Sequence, residues 1–470
     1  MSEPLSLPPI QAFERLQIAD GLLITAERWQ QAHNYHRQRQ NFHFQSLSQA
    51  GIVCGLGVAV IPAPASIEAR YRDQRWVQVQ AGVAIDPAGN PIVVPQAEAF
   101  RIELDPPTGR LQTVYLVISY VDPDELRQIP GQAQVKEQFR IVETTEPGPL
   151  DVELCRIRLT NGTVQLRNAL NVFSPQPNEV DLGHRRQAQP RPLYAAQVAY
   201  LQTGTPLDQS LSLGLSCLLQ ATEALFPKLQ AVAPLAELSA AAIATADLSP
   251  FDLLYAPRLA LQNLTLEATK ALKAYLAQGG LLLITVDFDE TKIDELSALR
   301  QELQAALEGL ESDAEISGMR QQLLSEIQAI EADIEQQLQN VVQSLQPFAQ
   351  MVGNPLAGAG QIHAQHPLRL QPFLFAQLPT LTSRPITLRH WQNIVLMIGN
   401  LAIAWGPDPA GQQTRESLRT AHELGINLLY FATRRRHLLG LQRPASTVGS
   451  SSSSQASLTD QAGQAGARES

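Results

Sequence analysis

The stretch FDLLYAPRLALQNLTLEATKALKAYLAQGGLLLITVD, Phe251 to Asp287, decides the fold of the larger half of this chain. It opens on a continuous apolar run, Phe251–Ala256, as expected of a strand buried on both faces. Leu266–Gln278 then reads at helical spacing. Gly279-Gly280 stops it, because glycine accepts the left-handed conformation at a helix C-terminus. A second apolar run, Leu281–Val286, follows at once. Strand, helix, stop and strand make a βαβ crossover, the unit of a parallel sheet.

The same alternation extends outward from this unit. Ala195–Leu201 reads as a strand and Leu207–Ala224 as a helix. Ile394–Ile398 and Leu401–Trp405 read as further strands, and Thr414–Arg436 as a closing helix. The α/β domain therefore spans 193–442. Residues 289–346 interrupt it as an acidic insertion. Leu296, Leu299, Leu303, Ala306 and Leu310 alternate spacings of 3 and 4, and so does a second series that includes Leu323, Ile330 and Leu338. Such stripes predict a helical hairpin of coiled-coil type, breaking near Ser312-Asp313. An arm of roughly 30 residues would reach about 45 Å. Its stripe, marked by Leu296, Leu303, Leu310, Leu323, Ile330 and Leu338, is expected to pair with a neighbour. Deleting 289–346 is then expected to leave a folded protein.

The N-terminal part, 1–175, reads as a helix followed by a β-rich domain. DGLLITAERWQQAHNYHRQRQNFHFQSLSQAGIVCGLGVAV (Asp20–Val60) starts a helix at Thr25, a fair N-cap, with Glu27 in the first turn where the helix dipole favours a carboxylate. Short β-prone runs follow from Gly57 to Asn168. They are separated by turn signals such as Asp86-Pro87-Ala88-Gly89-Asn90 and Asn161-Gly162. Many short strands at this spacing predict a sandwich or barrel-like domain. Residues 176–192, polar and proline-rich, read as a linker, and 443–470 as a disordered Ser-rich tail. The fold class is thus α+β multidomain: a helix plus β-rich domain, then an α/β domain carrying a helical-hairpin insertion.

Composition narrows the function classes. The formal charge of −10 lies entirely in 289–346, with 13 acids against 3 bases. A nucleic-acid ligand is not expected: displacing counterions from phosphates needs a basic patch, and the short clusters His184-Arg185-Arg186 and Arg434-Arg435-Arg436-His437 read as solvated surface. No apolar run reaches the roughly 18 residues of a membrane span, and the first residues lack a signal peptide's apolar core. Cys54, Cys155 and Cys217 lie far apart without a CxxC. They fit a reducing cytoplasm as small buried hydrophobes.

The candidate chemistry is sparse. His33, His36 and His43 fall within about 80° of one helix face, with His33 and His36 as the metal candidates. His43 stands about 10 Å along the axis from His36, too far to share one ion, so no metal and no cofactor is expected. Cys217 sits in an apolar helix, LGLSCLLQATEAL, and not on the sharp turn that a nucleophile needs. Asp287, Asp289 and Glu290 end a parallel strand, where open α/β sheets bind ligands. The same carboxylates would also cap the helix that follows. No phosphate-binding glycine motif is present, and Gly353–Gly360 reads as a flexible loop. No catalytic constellation emerges, so the chain is not expected to be an enzyme or to take a small-molecule substrate.

Two family resemblances accompany this reading. YHRQRQNFH (Tyr35–His43), GIVCGLGVAV (Gly51–Val60) and GVAIDPAGNPIVVP (Gly82–Pro95) resemble baseplate-type proteins of contractile injection systems and phage-tail-like particles, over about the first 170 residues. Phe251–Asp287, HPLRLQPFLFAQLP (His366–Pro379), LAIAWGPDP (from Leu401) and RESLRTAHELGINLLYFATRRR (to Arg436) resemble an uncharacterised family with a glutamine-amidotransferase-like α/β fold. Amidotransferases carry a Cys nucleophile on an elbow, which these residues lack. That resemblance implies the fold without the activity. Together they imply a structural or adaptor subunit near a baseplate, cytoplasmic and oligomeric, with protein subunits as partners and no direct membrane insertion. Docking would run through Trp29, Tyr35, His36, Arg37, Phe42 and His43 and through the arm. The alternative is a ligand-binding or degenerate hydrolase-like α/β protein using the carboxylates near Asp287.

Overall fold

The computed structural model describes residues 8, 10–106, 110–122, 136–160, 164–262, 264–309, 317–354, 360–380, 386–399, 401–407, 411 and 413–442. The expected Asn161-Gly162 hairpin, the break at Ser312-Asp313, most of the Gly353–Gly360 loop and the 443–470 tail lie outside these residues. The chain divides between Leu193 and Tyr194 into two compact units.

In the first unit, helix α1 (Ala26–Leu47) follows Thr25, whose hydroxyl accepts from the Arg28 amide at 3.3 Å. Among the described residues the strands that follow are β1 (Ser48–Gln49), β2 (Gly51–Gly55), β3 (Val58–Val60), β4 (Trp76–Val79), β5 (Gly82–Ile85), β6 (Pro91–Val94), β7 (Glu98–Arg101), β8 (Gln112–Val121), β9 (Gln138–Thr144), β10 (Val152–Leu159), β11 (Arg167–Asn168), β12 (Glu179–Asp181) and β13 (Gln189–Pro190). They form a five-stranded sheet in the order β11-β12-β10-β8-β9, two three-stranded sheets (β2-β5-β6 and β3-β4-β7) and the pair β1-β13. One core, including Ile52, Leu56, Val79, Ile92, Leu116, Leu154 and Ile157, draws on all three larger sheets. Alternation explains it on either side of a bulge: in β10 Val152 and Leu154 are buried, the register shifts between Glu153 and Cys155, and Cys155, Ile157 and Leu159 are buried beyond it.

The expected linker 176–192 is not one. Its β12 pairs antiparallel with β10, Arg156 opposite Asp181, and its β13 pairs with β1, Ser48 opposite Pro190. Its strands are too short to show an apolar pattern: β12, between β11 and β10, buries only Val180, and β13 is one half of a two-stranded pair.

The second unit contains β14 (Tyr194–Ala196), β15 (Val198–Leu201), α2 (Leu207–Leu225), β16 (Leu229–Ala231), β17 (Ala236–Leu238), β18 (Leu253–Pro257), α3 (Arg258–Leu261), α4 (Leu266–Ala277), β19 (Leu281–Val286), α5 (Ile293–Glu308), α6 (Ser317–Ser344), α7 (Gln346–Met351), β20 (Gly360–Gln361), α8 (Pro367–Leu370), β21 (Thr387–Trp391), β22 (Ile394–Ile398), α9 (Leu401–Trp405) and α10 (Arg415–Leu441). Its seven-stranded sheet runs β17-β15-β18-β19-β22-β21-β20. The first five strands are parallel, and β21 and β20 add antiparallel at one edge. In chain order the parallel strands read 2-1-3-4-5, a doubly wound arrangement. Leu215, Leu218, Trp405, Leu424 and Leu428 cover one face, from α2, α9 and α10. Leu272, Leu276, Ile334, Leu338 and Phe348 cover the other, from α4, α6 and α7.

Two expectations change here. Leu401–Trp405 is a short helix, not a strand. The acidic insertion is a helical pair, but it does not stand free: Ile330, Ile334, Leu338 and Val341 are buried in the sheet's own core, and Leu296 and Leu303 pack beside them. The stripe is filled by this chain, so deleting 289–346 would uncover part of one face of the sheet.

Candidate functional site

Helix α1 is built unlike any interior helix. Over 22 residues it buries none. It is seated by a polar row spaced four residues apart. Arg37 Nη1 meets Asp122 Oδ1 at 2.9 Å, the amides of Asn41 and Asn90 meet at 2.6 Å, and Gln45 Nε2 donates to the Ala88 carbonyl at 2.6 Å. Arg191 adds a bond from Nη1 to the Gln45 carbonyl at 2.9 Å.

The platform is the turn Asp86–Asn90. Buried Asp86 accepts from the Asn90 amide at 2.7 Å and from its side chain at 2.8 Å. Burial pushes its carboxyl up, against the pull of those hydrogen bonds. Gly89 has φ +82°, and a Cβ there would stand 2.4 Å from the Asn41 carbonyl oxygen. The helix therefore approaches as closely as it does only over glycine.

The α1 residues named from sequence fall on two sides. Arg37 belongs to the seating row, and Phe42 packs edge-on to Phe13, centroids 5.3 Å apart. Tyr35 is half-buried and accepts from Arg39 at 3.2 Å. Trp29, His33, His36 and His43 are exposed. Trp29 lies edge-on to His33, and His36 to Tyr35. Among the described residues, no three His, Cys, Asp or Glu side chains are arranged to hold a metal ion. In the helical pair, Leu323 is half-buried, Ile330 and Leu338 are core, and Leu310 lies outside the described residues.

At the carboxyl edge of the parallel sheet, the acids are held by the protein itself. Glu290 Oε2 accepts from Arg258 Nη2 at 2.7 Å and Nε at 3.0 Å, and its Oε1 accepts from the Asp287 amide at 3.3 Å. After β15, Asp208 accepts from the Tyr200 hydroxyl at 2.5 Å, from Thr203 Oγ1 at 2.7 Å and N at 2.9 Å, and from the Gly204 amide at 2.8 Å. Burial opposes its charge, but these donors outweigh it and hold the carboxyl below its ordinary range. Sequence reasoning missed Asp208, although an Asp four residues past a Thr-Gly turn signals such a cage. Cys217 lies within α2, and Cys155 is buried, which pushes its thiol up to about 12. Cys54 is exposed, contrary to the expectation of three buried thiols.

Sequence reasoning also missed a half-buried histidine pair at the other end of the sheet. His366 Nε2 lies 3.0 Å from His390 Nδ1, and Phe431 packs against both rings. The two residues are 24 positions apart, so no local pattern could join them.

Residues 197–433 match the family model described as Domain of unknown function (DUF4159). The chain belongs to this family. The matched range encloses the parallel sheet and the α5–α6 pair. No curated protein matches the chain. Among solved structures, one titled "Crystal structure of TssK" aligns at 13% identity over 46% of this chain and 49% of that one, with a TM-score of 0.25. The chain thus spans about half the length of that structure, and so loose a superposition supports no inference about fold or partner. No helix among the described residues is long and apolar enough to cross a membrane.

Proposed function

We propose that this chain is a non-enzymatic structural or adaptor subunit of a contractile-injection, phage-tail-like assembly, at or near its baseplate. The reading rests on α1. A 22-residue helix with no fully buried residue, and with Trp29 57% and Leu47 58% exposed near its ends, is read as a surface for a partner. It lies within the same residues, Tyr35–His43 and onward, that carry the resemblance to baseplate-type proteins. The α/β unit is read as an amidotransferase-like scaffold without the activity, supported by its 2-1-3-4-5 parallel order and by Cys217 lying mid-helix. The free thiols accord with a cytoplasmic location. The alternative, a ligand site near Asp287, has less support because Arg258 already occupies the Glu290 carboxylate.

The test is purification of the tagged full chain from the cells that make it, followed by electron microscopy. Tail-like particles bearing the chain are expected, and Trp29→Asp should leave the chain folded but detached from them. Recovery of the chain free of any assembly, or full retention of Trp29→Asp on the particles, would sink the reading.

A further inference from the structure

The basic cluster Arg434-Arg435-Arg436-His437 is not the solvated surface that its sequence suggests. All three arginines are half-buried, and only His437 is exposed. Arg436 stands 3.6 Å from the Asp252 carboxylate. Arg434 and Arg435 form no ion pair among the described residues. Each holds neutral acceptors instead: Arg434 donates to Gln371 Oε1, and Arg435 donates to the Gly279 carbonyl at 2.9 Å and to Asn393 Oδ1. Burial pushes Arg435 below its ordinary range, opposed only by Tyr275. A cation taken partly out of water without a counter-charge is costly to keep, so its presence calls for a reason.

Both arginines line a groove of about 350 Å³ on the last turns of α10. Tyr430, Arg434 and Leu438 make one row at a spacing of four, and Phe431, Arg435 and Leu439 make the next. Pro367 of α8 and Gln371 close one end. Among the described residues no acid lines the groove. It lies at the amino ends of β19 and β22, because Arg435 reaches Gly279 and Asn393 just before those strands. The carboxyl edge of the sheet, by contrast, already has Arg258 on Glu290.

We propose that this groove binds a small apolar carboxylate, with its head on Arg434 and Arg435 and its body over Leu438 and Leu439. The inference goes beyond the docking role of α1 and does not depend on it. The volume falls at the low end of small-molecule sites, roughly 300–1,000 Å³. At about 30 Å³ for each water-sized group, it holds about a dozen non-hydrogen atoms. Charge selects the head. Two cations with no counter-charge favour an anion, and a carboxylate matches the planar guanidinium fork. Each guanidinium has five N–H groups, so donors remain beyond the bonds already made. The walls select the body, since two aromatic rings and two leucines take an apolar group out of water. The polarity of the groove sets the orientation. The Arg434 guanidinium lies 5.9 Å from the Tyr430 ring centroid and reaches Gln371, so the cationic end is at α8 and the leucine end toward the helix C-terminus.

The test is titration calorimetry of the full chain with 1-naphthoate, a carboxylate of about that size. A Kd of about 0.1–1 mM is expected for so few atoms. The neutral counterpart 1-naphthalenemethanol should bind about tenfold more weakly, because it cannot accept a charge-assisted bond. Acetate, which lacks the apolar body, should give no measurable binding. Arg434→Gln should weaken naphthoate about tenfold and leave naphthalenemethanol unchanged. Leu438→Glu should abolish naphthoate binding while keeping the thermal midpoint near that of wild type, since Leu438 is 48% exposed. Leu324→Glu, at an exposed leucine of α6, should bind as wild type does. Absence of naphthoate binding at about 10 mM overturns the proposal. So does binding of acetate or of naphthalenemethanol as tight as that of naphthoate, and so does undiminished naphthoate binding in either Arg434→Gln or Leu438→Glu.

Discussion

The His366–His390 pair makes the stability of the α/β unit depend on pH in a calculable way. His390 Nε2 lies 2.9 Å from the Gln392 carbonyl, which only accepts, so Nε2 carries the proton. His390 Nδ1 then accepts from His366 Nε2, and His366 Nδ1 accepts from the Leu368 amide at 3.2 Å, capping α8. Each ring holds one proton, and a second would face a donor. Burial, then His390 and His363, push His366 down to about 4. Burial, aided by the Arg435 charge, pushes His390 down as well. The sign follows from linkage. Between about 4 and the ordinary value near 6.5 the unfolded ring binds a proton that the folded ring refuses, so stability is full above that window and falls as pH drops through it. About 2.5 units correspond to a ceiling near 3 kcal/mol. His366 is only half-buried, and solvent screening brings the expectation to about 1–2 kcal/mol. The assay is a thermal melt of wild type and His366→Asn from pH 7.5 to 4.5, because Asn keeps an acceptor for the α8 cap without titrating. Buried Asp252, raised to about 6 by burial, runs the opposite way, so only the difference between the two proteins isolates His366. Wild type is expected to lose roughly 3–6 °C more than the variant across the window. Equal slopes, or a His366 that titrates at its ordinary value by NMR, would refute the reasoning.

Gly214→Ala on α2 should destabilise the α/β unit by about 1–3 kcal/mol in urea titration, although alanine is the better helix former. The new Cβ would stand 2.0 Å from the Ala402 carbonyl oxygen of α9. Leu338→Ala should cost about 2–4 kcal/mol, whereas Leu324→Ala on the same helix should stay within about 0.5 kcal/mol. Leu338 is 5% exposed and Leu324 43%. Equal effects of the two leucines would mean that the α6 stripe is not seated on the sheet.

The parts of the fold legible in sequence are those whose signal is local. Phe251–Ala256 and Leu281–Val286 are evenly apolar because both faces of a central parallel strand are covered, and β18 and β19 lie there. Thr25 caps its helix as read, a side-chain oxygen serving an amide within one turn, and Thr414, read as the first residue of the closing helix, caps it in the same way. What failed depended on distant partners. Leu401–Trp405 is apolar throughout, and five residues cannot distinguish a buried strand from a buried helix turn. Gly399, at φ +117° between β22 and α9, turns the chain before the helix that meets α2. Residues 176–192 look like a linker until Arg156 and Ile157 of β10 are seen beside them. The candidate site was half legible. The aromatic and histidine content of α1 was visible, but which side faces solvent was set by Asp122, Asn90 and Ala88, all more than 40 residues away.

The acidic helical pair shows how one pattern serves two ends. Its apolar stripe is a folding device, since Ile330, Ile334, Leu338 and Val341 close a face of the sheet that no other helix covers in the same place. Its charge is then the necessary outer face. Glu302, Glu308, Glu326, Glu331, Asp333 and Glu335 are exposed, and only some find cations, as Glu331 does in Arg300 and Glu335 in Arg389. Exposed pairs of this kind contribute about 0–1 kcal/mol each. The surplus acids therefore do not hold the pair together, and they repel any acidic neighbour over a Debye length of about 8 Å at physiological salt. Leu299, Met319 and Leu324 stay exposed on the pair, while Leu303, further along α5 than Leu299, still packs on the core. The half of α6 from Ile330 to Val341 is thus held by the sheet's core and not by its charges.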